Sequence, residues 1–545
     1  MGARVDRRLL ASALFVLHVA AAFGTCADVE AQDRLSPEEA VRVVVKGSAQ
    51  AEDGPASPVA KAWQVGSNDF RISDMGGTGS SLYSVSTPAV AYNSIDDEYL
   101  VVWAGEDNVG GVVEGEVEIY GQILSSAGVP VGANDFRISD VAGIGTTSGF
   151  VQSPDVAFNP VYGEYLVVWQ ADDPVDGVVG GESEIWGQLL DADGNQVFVN
   201  DFRISDVGGS GDTSYVAQIP AVACNSALGE YLVVWFGDDN TGGLVDNEYE
   251  VFGQLLTDTG LEFGVNDFRI SNMGTNGLTS YGASRPDVVF NSTENEWLVV
   301  WSGDDDSPPL VDGESEIWGQ LLGYWGTAIG GDTRLSDVGG LGNPNYDAGT
   351  PVVTYNSLHN DYLVAWRGDD NVGGLVDDEM EIFVQRLNED LGGLGSNDYR
   401  ITDLGGIGNT DYGASYGPPA IDYDPGADQY LVCWSGTDNV GGLVQNETEV
   451  FCQALAFDLT QVGPNDQRIS DAHGIGNTDG WALIPGLAAG SDIGEFLAIW
   501  IAVDDLPGMA EYESEIFGQR LQSLGLFVDG FETGDTGSWS VATGT

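Results

Sequence analysis

Two glutamates recur at one spacing seven times along the chain, in segments of the form E-x-E-[IV]-aromatic-G-Q that end at Gln122, Gln188, Gln254, Gln320, Gln385, Gln453 and Gln519. More carboxylates precede most copies, as in Gly237-Asp238-Asp239-Asn240 followed by Asp246-Asn247-Glu248-Tyr249-Glu250. Carboxylates crowded in this way repel one another, and a hard divalent cation relieves the repulsion; Ca2+ takes roughly 6–8 oxygen ligands from flexible loops. The fullest sets are Asp238, Asp239, Asp246 and Glu248, and Asp369, Asp370, Asp377 and Glu379 with Glu381 beyond. These are the expected ligands if the loops hold Ca2+. The plainer reading is a solvated acidic surface with one glutamate of each pair bound to an arginine. The spacing is not that of an EF-hand, and Asp191-Ala192-Asp193-Gly194 reads as a simple turn.

Two further residue types recur with the same period. An N-D-F-R-I-S segment places Arg71, Arg137, Arg203, Arg269, Arg334, Arg400 and Arg468 at equivalent positions. They form either a ring of anion-binding guanidinium groups or internal partners for the motif glutamates and tryptophans. The planar, permanently charged arginine suits the second role. An aromatic stands shortly before the proline that opens each new unit: Tyr83, Phe150, Tyr215, Tyr281, Tyr346, Tyr412 and Trp481. If exposed around one face, this set would stack on sugar rings or grip a partner. Otherwise each ring plugs the underside of its own glycine-rich loop.

Catalytic machinery is hard to find. Only His359 and His473 lie beyond the N-terminal apolar segment, and there is no G-x-S-x-G elbow or CxxC pair. Paired carboxylates could act as general acid and base. However, they recur in every unit, whereas an active site needs a unique constellation.

The elements that position these residues follow from the repeat. A YLVVW-type run places tryptophans at Trp103, Trp169, Trp235, Trp301, Trp366, Trp434 and Trp500, at intervals of 65 to 68 residues. Each unit holds four short runs rich in β-branched and aromatic residues, bounded by Gly, Asp, Asn or Ser, and no helical period. The expected fold is all-β: a seven-bladed β-propeller of four-stranded antiparallel blades. A superhelical solenoid is the alternative. An N-D-F-R-I-S strand precedes the first complete unit and none follows the last. The N-terminal strand should therefore pair into the last blade as its outermost strand and remove an exposed edge.

The copies also predict register. The residues before each motif tryptophan and each motif glutamine vary together: Val102/Gly121, Val168/Gly187, Val234/Gly253, Val300/Gly319, Ala365/Val384, Cys433/Cys452 and Ile499/Gly518. Large opposite small implies direct cross-strand neighbours in a filled layer. Cys433 and Cys452 then face each other, as a disulfide in an oxidising compartment or as two buried thiols. Cys224 reads as a buried hydrophobe.

Outside the repeats, Arg4, Arg7 and Arg8 before an apolar run and small residues give residues 1–31 the layout of a secretory signal peptide. A lipoprotein reading at Cys26 competes, but the residues before it fit a lipobox badly. Residues 32–62 read as a spacer with a possible short helix, 63–527 as the propeller and 528–545 as a tail. No transmembrane segment is expected in the mature chain. The 85 acidic and 18 basic residues give a net charge of −67, which excludes nucleic acid and anionic membrane surfaces as partners. Much of that charge is expected on one loop face. A saline habitat is a competing source of the acidity.

These YLVVW and E-[IV]-aromatic-G-Q repeats resemble those of exported bacterial β-propeller proteins. The architecture is broadly similar to integrin-α-like propellers, but their Asp-x-Asp-x-Asp calcium loop and FG-GAP signature are missing. The tail, Asp529-Gly530-Phe531-Glu532-Thr533-Gly534-Asp535, resembles a segment found on exported bacterial proteins. The expected function is a secreted or surface-displayed, non-enzymatic propeller that binds an extracellular protein or glycan, with Ca2+ as its one candidate cofactor. The alternatives are an extracellular carbohydrate-active enzyme with carboxylate chemistry and a structural envelope or matrix protein.

Overall fold

The computed structural model describes residues 63–522, apart from 175–177, 416, 493, 505 and 507. The segments read above as signal peptide, spacer and C-terminal tail lie outside the described residues. Every regular element described is a β-strand. Seven antiparallel sheets follow one another in chain order; five are built from four consecutive strands, a sixth has its innermost strand split in two, and the seventh takes its outermost strand from the N-terminal end of the ring. Blade 1, for example, comprises Val85–Asn93, Glu98–Glu106, Val117–Ser125 and Pro130–Arg137. The innermost strands pack in a closed ring, with Trp481–Ala489 of blade 7 against Val85–Asn93 of blade 1. Prolines are tolerated on these strands because one side of each is a free edge.

Blade 7 shows why the ring closes. Its outermost strand is Gln64–Arg71, paired antiparallel with Ser514–Gln522 (Gln64 opposite Leu521, Arg71 opposite Phe517). The amide of Ile72 donates to the Ile516 carbonyl at 2.7 Å, and that of Gln522 to Trp63 at 2.8 Å. Trp63 is 2% exposed.

All seven predicted cross-strand pairs are direct register partners. Cys433 and Cys452 form a disulfide. The glycines of the other pairs have a physical reason. A Cβ at Gly121 would lie 3.0 Å from both Phe136 and Ile138, so the glycine lets the aromatic of the outer strand lie flat across the sheet. Restoring the common pair with Cys433→Val/Cys452→Gly is expected to keep the fold and its cooperative melt. Reducing the native disulfide should cost about 3 kcal/mol, from the 19-residue separation, measured by denaturant unfolding with and without reductant.

The two faces of each blade differ, as strand alternation requires. Leu100, Val102 and Ile119 of blade 1 pack against Tyr165, Val167 and Trp169 of blade 2. Val101, Trp103 and Tyr120 pack against Leu497, Ile499 and Ile516 of blade 7. Each aliphatic face thus meets the tryptophan face of the next blade.

Candidate functional site

The loops between second and third strands lie beside the loops that join blades, and the motif carboxylates sit between them. They are not on the surface: all fourteen E-x-E glutamates are at most 2% exposed. The first of each pair accepts two backbone N–H groups. Glu116 takes Val113 from its own loop and Gly145 from the next joining loop. The same two bonds recur at Glu182, Glu248, Glu314, Glu379, Glu447 and Glu513, with distances of 2.7–3.1 Å. At Glu513 the second donor is Gly79, so the bond set spans the ring closure.

The second glutamate accepts the hydroxyl of the N-D-F-R-I-S serine (Thr402 in blade 5) and a backbone amide two residues later. Glu118 binds Ser139 and Val141; Glu515 binds Ser73 and Met75 across the closure. Arginine joins it in five blades, with Arg137, Arg269, Arg334, Arg400 and Arg468 at 2.5–3.8 Å from Glu118, Glu250, Glu316, Glu381 and Glu449. Arg71 reaches Glu513 at 3.5 Å, and Arg203 pairs with Asp206 at 3.1 Å. The arginines are therefore internal partners.

Two aspartate sets complete the network. In each blade an aspartate after the second strand (Asp107, Asp173, Asp239, Asp305, Asp370, Asp438, Asp504) accepts an amide of the preceding joining loop at 2.9–3.3 Å. The N-D-F-R-I-S aspartate reaches the neighbouring blade, as where Asp135 takes the amide of Asp74 at 3.0 Å. At Asp135, Asp201, Asp267, Asp398 and Asp466 the backbone takes a φ of 43–47°, which aspartate tolerates better than most residues.

The Ca2+ candidates are part of this network. Asp238 accepts Val216 and Asn247 amides, Asp239 accepts Gly208 and Asn240, and Glu248 accepts Val245 and Gly277. Asp369, Asp370 and Glu379 repeat these bonds, while Asp246 and Asp377 are exposed. Among the described residues no group of three or more His, Cys, Asp or Glu side chains is arranged to hold a metal ion. The expectation that the motif acids crowd an exposed face is thereby corrected: the loops fold over them, and backbone N–H dipoles offset their charge.

Burial is the leading influence on their protons. It pushes Glu118, Glu250, Glu381 and Glu449 up to about 7 and Glu184, Glu316 and Glu515 up to about 8, against the hydroxyl, amide and arginine partners that hold them down. Asp135, Asp201, Asp267, Asp398 and Asp466 rise to about 7 for the same reason. The folded state thus binds these protons more tightly than the unfolded chain, whose carboxylates titrate near 4 (about 3.9–4.3). Their stabilising contribution is complete below that range and is lost as pH rises through about 7 to 8. The thermal midpoint is expected to be higher at pH 5.5 than at pH 8.5, by roughly 5 °C or more. Differential scanning calorimetry at matched ionic strength measures this directly.

Five of the seven ring aromatics cover their own loops. A Cβ on Gly76, Gly208, Gly274, Gly339 or Gly405 would lie within 2.1–2.8 Å of Tyr83, Tyr215, Tyr281, Tyr346 or Tyr412, so each ring lies over a glycine of the loop before it. Ala142 and His473 replace that glycine in the two remaining loops. Phe150 stands 42% exposed, and Trp481 is half-buried.

With seven near-equivalent loop sets, a unique site must come from a departure from the repeat. The clearest lies away from the loop face, between the outer edges of blades 5 and 6. There a cleft of about 280 Å³ is lined by Arg386, Ser396, Tyr399, Asp458, Leu459 and Thr460 among others. A second cleft of about 230 Å³, which includes Asp206, Asp239 and Asp267, belongs to the repeated network. Sequence reading missed the first cleft, although the exchange of glycine for Val384 was its visible trace.

The fold is that of a seven-bladed β-propeller. No family model matches the sequence, and no curated protein matches it. Among solved structures it is similar to a polysaccharide lyase, a PL25 ulvan lyase, at 9% identity over 84% of this chain and 96% of that one, with a TM-score of 0.45. It is similar also to the α-L-arabinofuranosidase arb93a of Fusarium graminearum, at 11% identity over 84% and 97%, TM-score 0.40. A prolyl endopeptidase matches at 11% identity over 83% of this chain and 52% of its own, TM-score 0.40. Likenesses this distant carry no activity across to this chain. Among the described residues no helix is long and apolar enough to cross a membrane.

Proposed function

We propose that this is an exported, non-catalytic propeller that binds a glycan. The observation that carries the non-catalytic reading is the commitment of all fourteen motif glutamates to backbone amides and hydroxyls beneath the loops. A glycosidase or lyase acting on that face would need a carboxylate able to reach substrate. The Cys433–Cys452 disulfide and the signal-like N-terminus support export. The resemblance of the repeats to exported bacterial propellers supports it as well. An aromatic and polar cleft at one seam, found where the repeat breaks, supports a glycan over a protein ligand. Ca2+ is not required by this reading.

The test is a glycan array and an extracellular-protein panel, each with Ca2+ and with EDTA, alongside assays for new reducing ends and unsaturated products. Saturable glycan binding without product formation is expected. Turnover of any bound glycan would establish the enzymatic alternative, and binding confined to the protein panel would replace the glycan.

A further inference from the structure

At four seams one contact seals the outer edge between blades. The turn between third and fourth strands carries a glycine in the left-handed region that rests on the preceding blade's aromatic. Gly128 rests on Phe70, Gly194 on Phe136, Gly260 on Phe202 and Gly326 on Phe268; a Cβ there would come within 2.8–3.0 Å of the ring. Each phenylalanine also lies across a glycine of its own blade's third strand (Gly518, Gly121, Gly187 and Gly253).

The seam between blades 5 and 6 changes all three partners. Val384 stands in place of the third-strand glycine and is the register partner of Tyr399, so the ring cannot lie flat. Tyr399 is 39% exposed. Leu459, at φ 66°, occupies the turn position and is 7% exposed. The seal opens into the 280 Å³ cleft.

The wall of the cleft is held rigidly. Arg386 forms a two-pronged contact with Asp361, its Nε at 2.8 Å, and Tyr430 donates to the same carboxylate at 3.0 Å. The guanidinium carbon lies 5.5 Å from the centre of the Phe457 ring, which stacks on His359 at 4.4 Å. His359 and the Tyr423 hydroxyl both engage Asp428, at 3.0 and 2.7 Å. Asp458 is exposed and accepts the Thr460 amide at 3.0 Å. One aromatic ring, a fixed guanidinium, a carboxylate and the hydroxyls of Ser396 and Thr460 thus surround a space suited to one sugar ring. Sugars present an apolar C–H face and pairs of adjacent hydroxyls, which match an aromatic platform and a carboxylate. Asp361 neutralises Arg386, and a chain of net charge −67 repels uronates and sulfated sugars.

We propose that the cleft between blades 5 and 6 binds one neutral pyranose unit, with Tyr399 as stacking platform and Asp458 as hydroxyl acceptor. This rests on the glycan reading above. The probes are methyl pyranosides of glucose, galactose, mannose and xylose, read by saturation-transfer NMR and titration on the full chain. At least one is expected to bind, at least tenfold more weakly to Tyr399→Ala. The triple change Val384→Gly/Tyr399→Phe/Leu459→Gly rebuilds the seal found at those four seams. It is expected to abolish binding while keeping the melting transition. Pyranoside binding that survives both variants overturns the site; if it is lost instead in Phe150→Ala/Trp481→Ala, the glycan reading stands with its site on the loop face. No binding by any pyranoside, with the array also blank, overturns both.

Discussion

Deleting residues 63–73 is expected to abolish cooperative folding of the propeller. The deletion removes the outermost strand of blade 7 and leaves Ser514–Gln522 as an unpaired edge open to aggregation. Trp63 goes with it, and loss of a tryptophan side chain this well buried costs about 3–5 kcal/mol by itself. Glu515 loses Ser73, and its buried carboxylate is left without the hydroxyl donor found in every other blade. The bonds of Glu513 to Gly79 and of Asp107 to Gly76 lose the strand that anchors the joining loop. Circular dichroism melts and gel filtration of the truncated chain should show no sharp transition and a shift to oligomers. A truncated chain that melts within a few degrees of the full one would mean that the closure is ornamental.

The second large effect concerns the glutamates. Glu316→Ala removes the acceptor of the Ser336 hydroxyl and the Val338 amide and the partner of Arg334 at 3.4 Å, all at a site with no exposed surface. Breaking a buried charged network from one side costs about 3–5 kcal/mol. Glu316→Gln retains a carbonyl oxygen for the hydroxyl and amide, and is expected to cost less than half as much. Denaturant unfolding of the two variants at pH 9, where the Glu316 carboxyl that burial pushes up to about 8 is ionised, gives the comparison. If the alanine and glutamine variants lose the same small amount, the carboxylate is not the acceptor it is described to be.

The architecture was legible because seven copies report on one another. Covariation between Val102/Gly121 and its counterparts gave the register of every second–third strand pair, and with it the Cys433–Cys452 contact. The tryptophan interval of 68 residues between Trp366 and Trp434 falls where the innermost strand of blade 6 is split into Gly413–Ala414 and Ala420–Asp424. The role of the acids was not legible. Asp238-Asp239 between glycine-rich runs has the composition of a solvated loop. Only the approach of the neighbouring loop, which brings the Gly208 amide to Asp239, makes it interior. Six of the seven arginine pairings were legible, because a planar cation opposite a glutamate face has few other roles; Arg203 pairs with Asp206 instead. The cleft escaped because the large-against-small comparison stopped at the second and third strands. Extended one strand outward, it would have set Val384 against Tyr399 where four blades set glycine against phenylalanine.

The central claim is that the motif carboxylates are structural acceptors for the joining loops. Native-state hydrogen exchange in EDTA tests it most directly, at the amides of Gly145, Gly211, Gly277, Gly342, Gly408 and Gly476. These belong to surface loops outside any strand, yet each donates to a buried glutamate at 2.7–2.9 Å. The account predicts protection comparable to the central strands at all six, unchanged when Ca2+ is added. Exchange at the rate of open loops, slowed only by Ca2+, would contradict it and return the carboxylates to the role of metal ligands.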